Sequence, residues 1–130
     1  MPDKTWMQTA DWKSEKHVPV IEAPDVVKKG EVVKVTVSVG KQIPHPNVTE
    51  HHIKWLDLFF WADGEKFPME VGYATFDTHG ESTQGPNTGP LYTEPFAVFA
   101  FKITKPGTLM ATSYCNIHGL WKSEKDVAVK

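Results

Sequence analysis

The chain has 130 residues, of which 40% are hydrophobic, and a formal net charge of −2 from 14 lysine or arginine and 16 acidic residues. This length and charge balance predict one domain over residues 1–130 and give no sign of binding to nucleic acid or to an anionic membrane. Because the single cysteine, Cys115, excludes an internal disulfide, and neither a targeting pattern nor an apolar run of about 18 residues is present, we expect a cytoplasmic protein.

The dominant hydrophobic period is two, which is typical of half-buried β-strands. In residues 31–39, for example, four valines at every second position alternate with polar residues. In chain order the predicted strands are residues 18–22, 31–39, 53–61, 70–76, 95–103, 108–114 and 126–129, separated by Lys-Gly, Asp-Gly and Pro-Gly turns. The pattern predicts an all-β fold, and periodicity alone leaves open an immunoglobulin-like sandwich or a small barrel.

Four of the six histidines lie at predicted strand ends or in loops, where a β-sandwich gathers its functional residues. They are His17, His45, His51 and His118. His51 is followed directly by His52, and adjacent residues of an extended segment point to opposite sides. We therefore expect only one of these two neighbours to serve a shared centre.

Two local patterns favour metal binding over ordinary surface histidines. His45 stands between Pro44 and Pro46, which restrict the backbone and preorganise the side chain. Cys115 and His118 are three residues apart, so a thiolate and an imidazole can reach one metal if the strand ends at Cys115 and the chain then turns. The cysteine-histidine spacing is a weak signal alone and a stronger one beside the other histidines.

The number of donor atoms limits the choice of metal. Four imidazoles and one thiolate exceed the four ligands of structural zinc and suit a redox metal, iron or copper. A blue-copper electron-transfer sandwich is one alternative, but such sites usually carry a weak axial methionine after the last histidine. All four methionines precede Cys115, at Met1, Met7, Met69 and Met110. A non-catalytic zinc or structural sandwich is the other alternative.

Seven segments then carry a family resemblance, which spans about residues 12–129. They are residues 15–20 (EKHVPV), 44–47 (PHPN), 49–52 (TEHH), 79–82 (HGES), 85–87 (GPN), 92–95 (YTEP) and 113–121 (SYCNIHGLW). In this order they resemble the superoxide reductases of the neelaredoxin and desulfoferrodoxin family. The desulfoferrodoxin branch has a further domain that binds a second iron through four cysteines, so this one-cysteine sequence is more similar to the single-iron, neelaredoxin branch.

The resemblance implies a fold and a metal site. The fold is an immunoglobulin-like β-sandwich of about seven antiparallel strands, holding one iron (Fe²⁺/Fe³⁺) per chain. The implied ligands are His17, His45, His51 and His118 in the equatorial plane and Cys115 on the axis. Glu15 matches the residue that occupies the sixth position of ferric iron, whereas His52 and His79 match positions that do not bind iron.

The resemblance also implies an activity, the one-electron reduction of superoxide to hydrogen peroxide, followed by re-reduction of the iron by an external donor such as rubredoxin. Lys16 and Glu15 are the candidate catalytic residues. Lys16 lies beside His17 in the sequence, so its ammonium group can attract the superoxide anion to the sixth position of the iron, which the five implied ligands leave open opposite the Cys115 sulfur. The single-domain branch further implies a homotetramer.

Overall fold

The computed structural model describes residues 4–130, so residues 1–3, at the start of the predicted domain, lie outside the described residues. Among residues 4–130 no helix has the length and apolar character to cross a membrane. The strands of this part of the chain are β1 (Pro19–Glu22), β2 (Val26–Val27), β3 (Val33–Val39), β4 (Ile53–Ala62), β5 (Met69–Thr75), β6 (Phe96–Phe101), β7 (Gly107–Cys115) and β8 (Gly119–Val129).

The strands form two separate sheets, one in the order β1-β3-β6 and the other in the order β2-β8-β7-β4-β5. Apolar side chains of the two sheets meet in one core. Val35 and Val37 of β3 are fully buried there together with Leu56 and Leu58 of β4 and Leu109 of β7. Alternating apolar residues on strands of both sheets therefore face each other, which confirms the predicted β-sandwich and rejects the barrel.

Two strands differ from the prediction. β8 begins at Gly119, seven residues before the predicted strand 126–129, and pairs with β7 along almost its whole length. Its inward positions Ser123 and Lys125 are polar and interrupt the apolar alternation on which the prediction depended, so the ladder with β7 decides where β8 begins. The two-residue β2 is too short to show a period, and it pairs with β8 in the one parallel ladder of the described strands. Residues 4–130 therefore contain eight strands, against about seven antiparallel strands expected.

The strand ends that matter for function meet at one end of the sandwich, which we call the loop end. Cys115, the last residue of β7, pairs with both Ile53 at the start of β4 and Gly119 at the start of β8. Gly119 adopts a φ of +79°, the left-handed conformation that closes a three-residue turn between antiparallel strands. The Ser113 hydroxyl donates a 3.1 Å hydrogen bond to the His17 carbonyl, which holds the segment before β1 at the same end.

Candidate metal centre

Five side chains that can bind a metal meet at the loop end. His17 lies just before β1, His45 and His51 lie between β3 and β4, Cys115 ends β7, and His118 lies in the turn before β8. One donor atom from each of four of them lies within 4.8 Å of the other three. The fifth, His118, places its Nδ1 3.0 Å from His17 Nε2 and 3.1 Å from His51 Nε2. The fold therefore brings together all five side chains that the sequence singled out.

The four imidazole rings stand around a common centre. Adjacent ring centroids are 4.8 Å apart for His17 and His45, 4.6 Å for His45 and His51, 4.9 Å for His51 and His118, and 4.4 Å for His118 and His17. Across the centre, the centroids of His17 and His51 are 6.0 Å apart. Four nearly equal sides with a longer diagonal describe an approximate square, in which His118 stands opposite His45.

The donor spacing fits a square arrangement of metal ligands better than a tetrahedral one. Two nitrogens at about 2.1 Å from one ion are roughly 3.0 Å apart when the angle at the ion is 90°, and about 3.4 Å apart in a tetrahedron. The two separations from His118 Nδ1 are 3.0 and 3.1 Å. This geometry disfavours tetrahedral structural zinc, and four imidazoles also exceed the two of a blue-copper site.

Cys115 lies at the buried side of the square. Its side chain is fully buried, and its Sγ is 3.5 Å from His45 Nε2 and 3.8 Å from His118 Nδ1. His118 is exposed and His51 is half-buried, whereas His17 and His45 are each 6% exposed. The centre is thus closed below by sulfur and open to solvent beside His118, the side from which a small molecule can enter.

Hydrogen bonds turn two of the imidazoles toward the centre. A carbonyl oxygen can only accept, so the 2.5 Å contact between His45 Nδ1 and the Pro46 oxygen places the proton on Nδ1. The Glu15 carboxylate likewise accepts the proton of His17 Nδ1 at 2.6 Å. In both rings Nε2 keeps a free lone pair, the tautomer that a metal needs.

The environment also favours the neutral form of three of the four imidazoles, those of His17, His45 and His51. Burial lowers the pKa of His45 to about 4, and the positive charges that His17, His51 and Lys16 can carry add to the lowering. Burial lowers the pKa of His17 and of His51 as well, and Lys16 again contributes in both cases. Neutral imidazole is the form that binds a metal, so the metal-free site is prepared for binding near neutral pH.

The two predicted catalytic residues lie at the rim of the site. The Glu15 carboxylate contacts His17 Nδ1 and the His17 backbone N–H, so it lies on the side of the ring away from the centre, not in the open position expected of a sixth ligand. Reaching that position requires Glu15 to leave His17. Lys16 is half-buried, and among residues 4–130 no carboxylate oxygen lies within 4.0 Å of its Nζ. Its charge is therefore not neutralised by an ion pair there.

His52 and His79 lie outside the square, as expected of them. Their rings stack with centroids 3.5 Å apart and an angle of 8° between the planes. In such a stack the lone pairs of the two rings lie in separate, parallel planes and do not converge on one ion. His52 Nδ1 instead donates to the Val48 carbonyl at 3.0 Å.

Three further residues support the site, and their roles were not found from the sequence. Trp121 stacks on His17 with centroids 5.2 Å apart, and its Nε1 donates to the His118 carbonyl at 3.2 Å. Asn116 accepts from the His52 N–H at 2.8 Å through Oδ1 and donates to the Glu50 carbonyl at 2.9 Å through Nδ2. Asn116 and Trp121 both lie within three residues of a ligand in the motif at residues 113–121, and that adjacency was the available signal.

Gly40 is the third of these supporting residues. It has a φ of +87°, and a Cβ at this position would lie 2.6 Å from the His45 backbone nitrogen. The close approach of the two backbones therefore requires glycine and positions the loop that carries His45. No sequence period marks a contact of this kind.

Comparison with known proteins places the chain among proteins of this architecture. Residues 9–124 match the family described as desulfoferrodoxin. A superoxide reductase of Pyrococcus furiosus is 57% identical, with 91% of this chain and 93% of that protein covered. A neelaredoxin of Megalodesulfovibrio gigas is 56% identical, with 95% of each covered. The solved structure of the reduced superoxide reductase (neelaredoxin) of Archaeoglobus fulgidus is 60% identical, with a TM-score of 0.89 and coverage of 95% of this chain and 99% of that one.

Proposed function

The chain belongs to the desulfoferrodoxin family, and from this membership we propose that it is a superoxide reductase. The reaction takes one superoxide, one electron and two protons to one hydrogen peroxide. The observation that carries the proposal is the square of four imidazoles above a buried cysteine sulfur, open to solvent at His118. It offers five ligands and leaves one side free for a small anion.

We propose that the residues of this square and Cys115 hold one iron per chain. Imidazole and thiolate are ligands that iron accepts, and the spacing of the nitrogens fits their mutual right angles. With iron bound, the site would supply the electron through the ferrous and ferric states of the metal. The Cys115 thiolate would donate electron density from the buried side, which would favour passing an electron outward.

Lys16 is proposed to attract the substrate. Superoxide is an anion, and a nearby ammonium without a carboxylate partner raises the local concentration of anions. Its charge contributes to lowering the pKa of His17, His45 and His51, which supports a position near the imidazoles of the centre. Solvent at the exposed His118 side is the proposed source of both protons.

Glu15 is proposed to act in two ways. With its carboxylate on Nδ1 it fixes the tautomer of His17, as the distances support. In the oxidised enzyme we propose that it leaves His17 and becomes an additional ligand of ferric iron, because a carboxylate is a hard donor. Glu15→Ala should then shift the visible band of the oxidised protein, and an unchanged spectrum would argue against the second role.

The remaining parts of the proposal rest on family resemblance. The external electron donor is a small iron–sulfur protein such as rubredoxin, the protein assembles as a homotetramer, and it works in the cytoplasm. The exposed His118 offers a short path between the centre and a donor that docks at the loop end.

The stoichiometry of the reaction tests the proposal. Protein loaded with ferrous iron and given excess superoxide without a donor should rapidly consume about one superoxide per iron and release peroxide without matching oxygen. Sustained turnover that releases oxygen and peroxide in equal amounts would identify a dismutase instead. Stoichiometric zinc or copper in the purified protein would reject the iron site itself.

A further inference from the structure

His51 differs from its neighbours in how its ring is held. His17 has Glu15 on its outer nitrogen, and His45 has two flanking prolines and the Pro46 carbonyl. His51, within the described residues, has no side-chain hydrogen bond other than the 3.1 Å contact with His118 inside the square. Its position therefore depends on the backbone segment that carries it.

That segment is a tight β-turn. Val48 and His51 exchange two backbone hydrogen bonds of 3.0 and 3.1 Å, which leaves Thr49 and Glu50 as the two central residues. Among residues 4–130 the one non-glycine residue with positive φ is Asn87, so both central residues have negative φ, as in ordinary β-turns. These backbone hydrogen bonds define the turn itself, whereas its place at the loop end depends on contacts with other segments.

Asn87 contacts both central residues of this turn. Its Oδ1 accepts from the Thr49 N–H at 2.9 Å, and its own N–H donates to Thr49 Oγ1 at 3.1 Å. Its Nδ2 donates to the two carboxylate oxygens of Glu50 at 2.6 and 2.9 Å. The Thr49 hydroxyl donates in turn to the His79 carbonyl at 2.7 Å. We call this set of contacts the Asn87 clamp.

The loop that carries Asn87 is built to present it. Asn87 has a φ of 59°, a left-handed conformation that asparagine tolerates better than most residues and that persists where the surroundings impose it. The Gly80 carbonyl accepts hydrogen bonds from the N–H groups of Thr88 at 3.0 Å and Gly89 at 2.8 Å. These bonds fix the backbone directly after Asn87, which is the segment from which its amide side chain reaches the turn.

From these contacts we propose that Asn87 is a positioning residue for His51, acting through the turn at residues 48–51. The inference rests on the proposed function in one respect, since it takes His51 to be a metal ligand. It also gives a role to the segments 79–82 and 85–87, which the metal site leaves unexplained. Residues that orient a ligand from outside typically contribute about 10- to 100-fold to metal affinity.

The test uses the full chain with Asn87→Ala, Asn87→Gly and the control Thr88→Ala. Glycine accepts the left-handed φ without strain, so Asn87→Gly removes the side chain and spares the backbone. The Thr88 hydroxyl bonds to Ser82 and Gly85 within the loop and does not reach the turn. Two quantities are measured, the exchange rate of the His51 amide hydrogen in metal-free protein and the affinity for Co²⁺ in chelator competition.

Both Asn87 variants should speed exchange of the His51 amide at least tenfold and weaken Co²⁺ binding about 10- to 100-fold, while Thr88→Ala changes neither. Wild-type exchange and affinity in Asn87→Gly would overturn the proposal, as would equal losses in Thr88→Ala, which would mean general loosening of the loop. A third outcome separates the two proposals. If the Asn87 variants exchange the His51 amide faster but the wild-type protein binds no iron, the role of Asn87 in holding the turn is supported and only the proposed function is rejected.

Discussion

The square around Cys115 and the stacked pair His52–His79 use the same side chain in two ways. In the square, ring nitrogens approach one another to 3.0 and 3.1 Å with their lone pairs directed to one point. In the pair, the ring faces contact each other and the lone pairs lie in two parallel planes. His51 and His52 are consecutive residues just before β4, so one position along the chain separates the two environments. Histidine content alone thus does not make a metal site, and the direction of the ring nitrogens does.

The largest expected effect comes from removing the sulfur. Cys115→Ala should abolish the sulfur-to-iron absorption band of the oxidised protein and greatly weaken iron binding, because it removes the one thiolate. The matched control is His79→Phe, which keeps an aromatic ring against His52 and removes Nε2, a buried nitrogen with no hydrogen-bond partner among the described residues. It should keep one iron per chain and an unchanged band. Loss of iron in His79→Phe would mean that the two regions are not separate.

A smaller effect is expected from Lys16→Ala, measured by pulse radiolysis as the second-order rate with superoxide. The rate should fall by roughly tenfold at low ionic strength, and its dependence on salt should weaken, because screening then has less attraction to remove. The control Lys54→Ala removes an equal charge beside the stacked pair. If the rate falls equally in both variants, the net charge of the protein, and not local attraction by Lys16, determines the rate.

The smallest effect concerns pH. The pKa of His45 is lowered by burial from 6.5 to about 4, so between these values the unfolded chain binds a proton that the folded chain does not. The free energy of unfolding of the metal-free protein should therefore fall as pH decreases from about 6.5 to 4. His45→Gln should flatten this decline, seen as a smaller drop in Tm by several degrees. An identical pH profile in the variant would assign the decline to other groups.

Much of the site could be predicted from the sequence because its candidate ligands lie in short, unusual sequence patterns. The prolines around His45 and the spacing of Cys115 and His118 act through the local backbone. Such signals involve residues that are close together in the sequence, so they can be recognised without a structure. The contacts of Asn87 that support the turn before His51 could not be predicted in this way. Asn87 lies 37 residues from Glu50, and no period or motif indicates that its amide meets that carboxylate.

The sequence by itself determined the two-residue period of β3, the all-β class and the five side chains of the site. These follow from alternating burial and from ligand chemistry, which act on neighbouring residues. The tertiary structure decided between the sandwich and the barrel, which the hydrophobic period had left open. It alone showed that β8 extends back to Gly119 and that the Glu15 carboxylate contacts His17 and does not occupy the open side of the centre. Hydrogen bonds between distant segments set these features, and their partners meet only when the chain has folded.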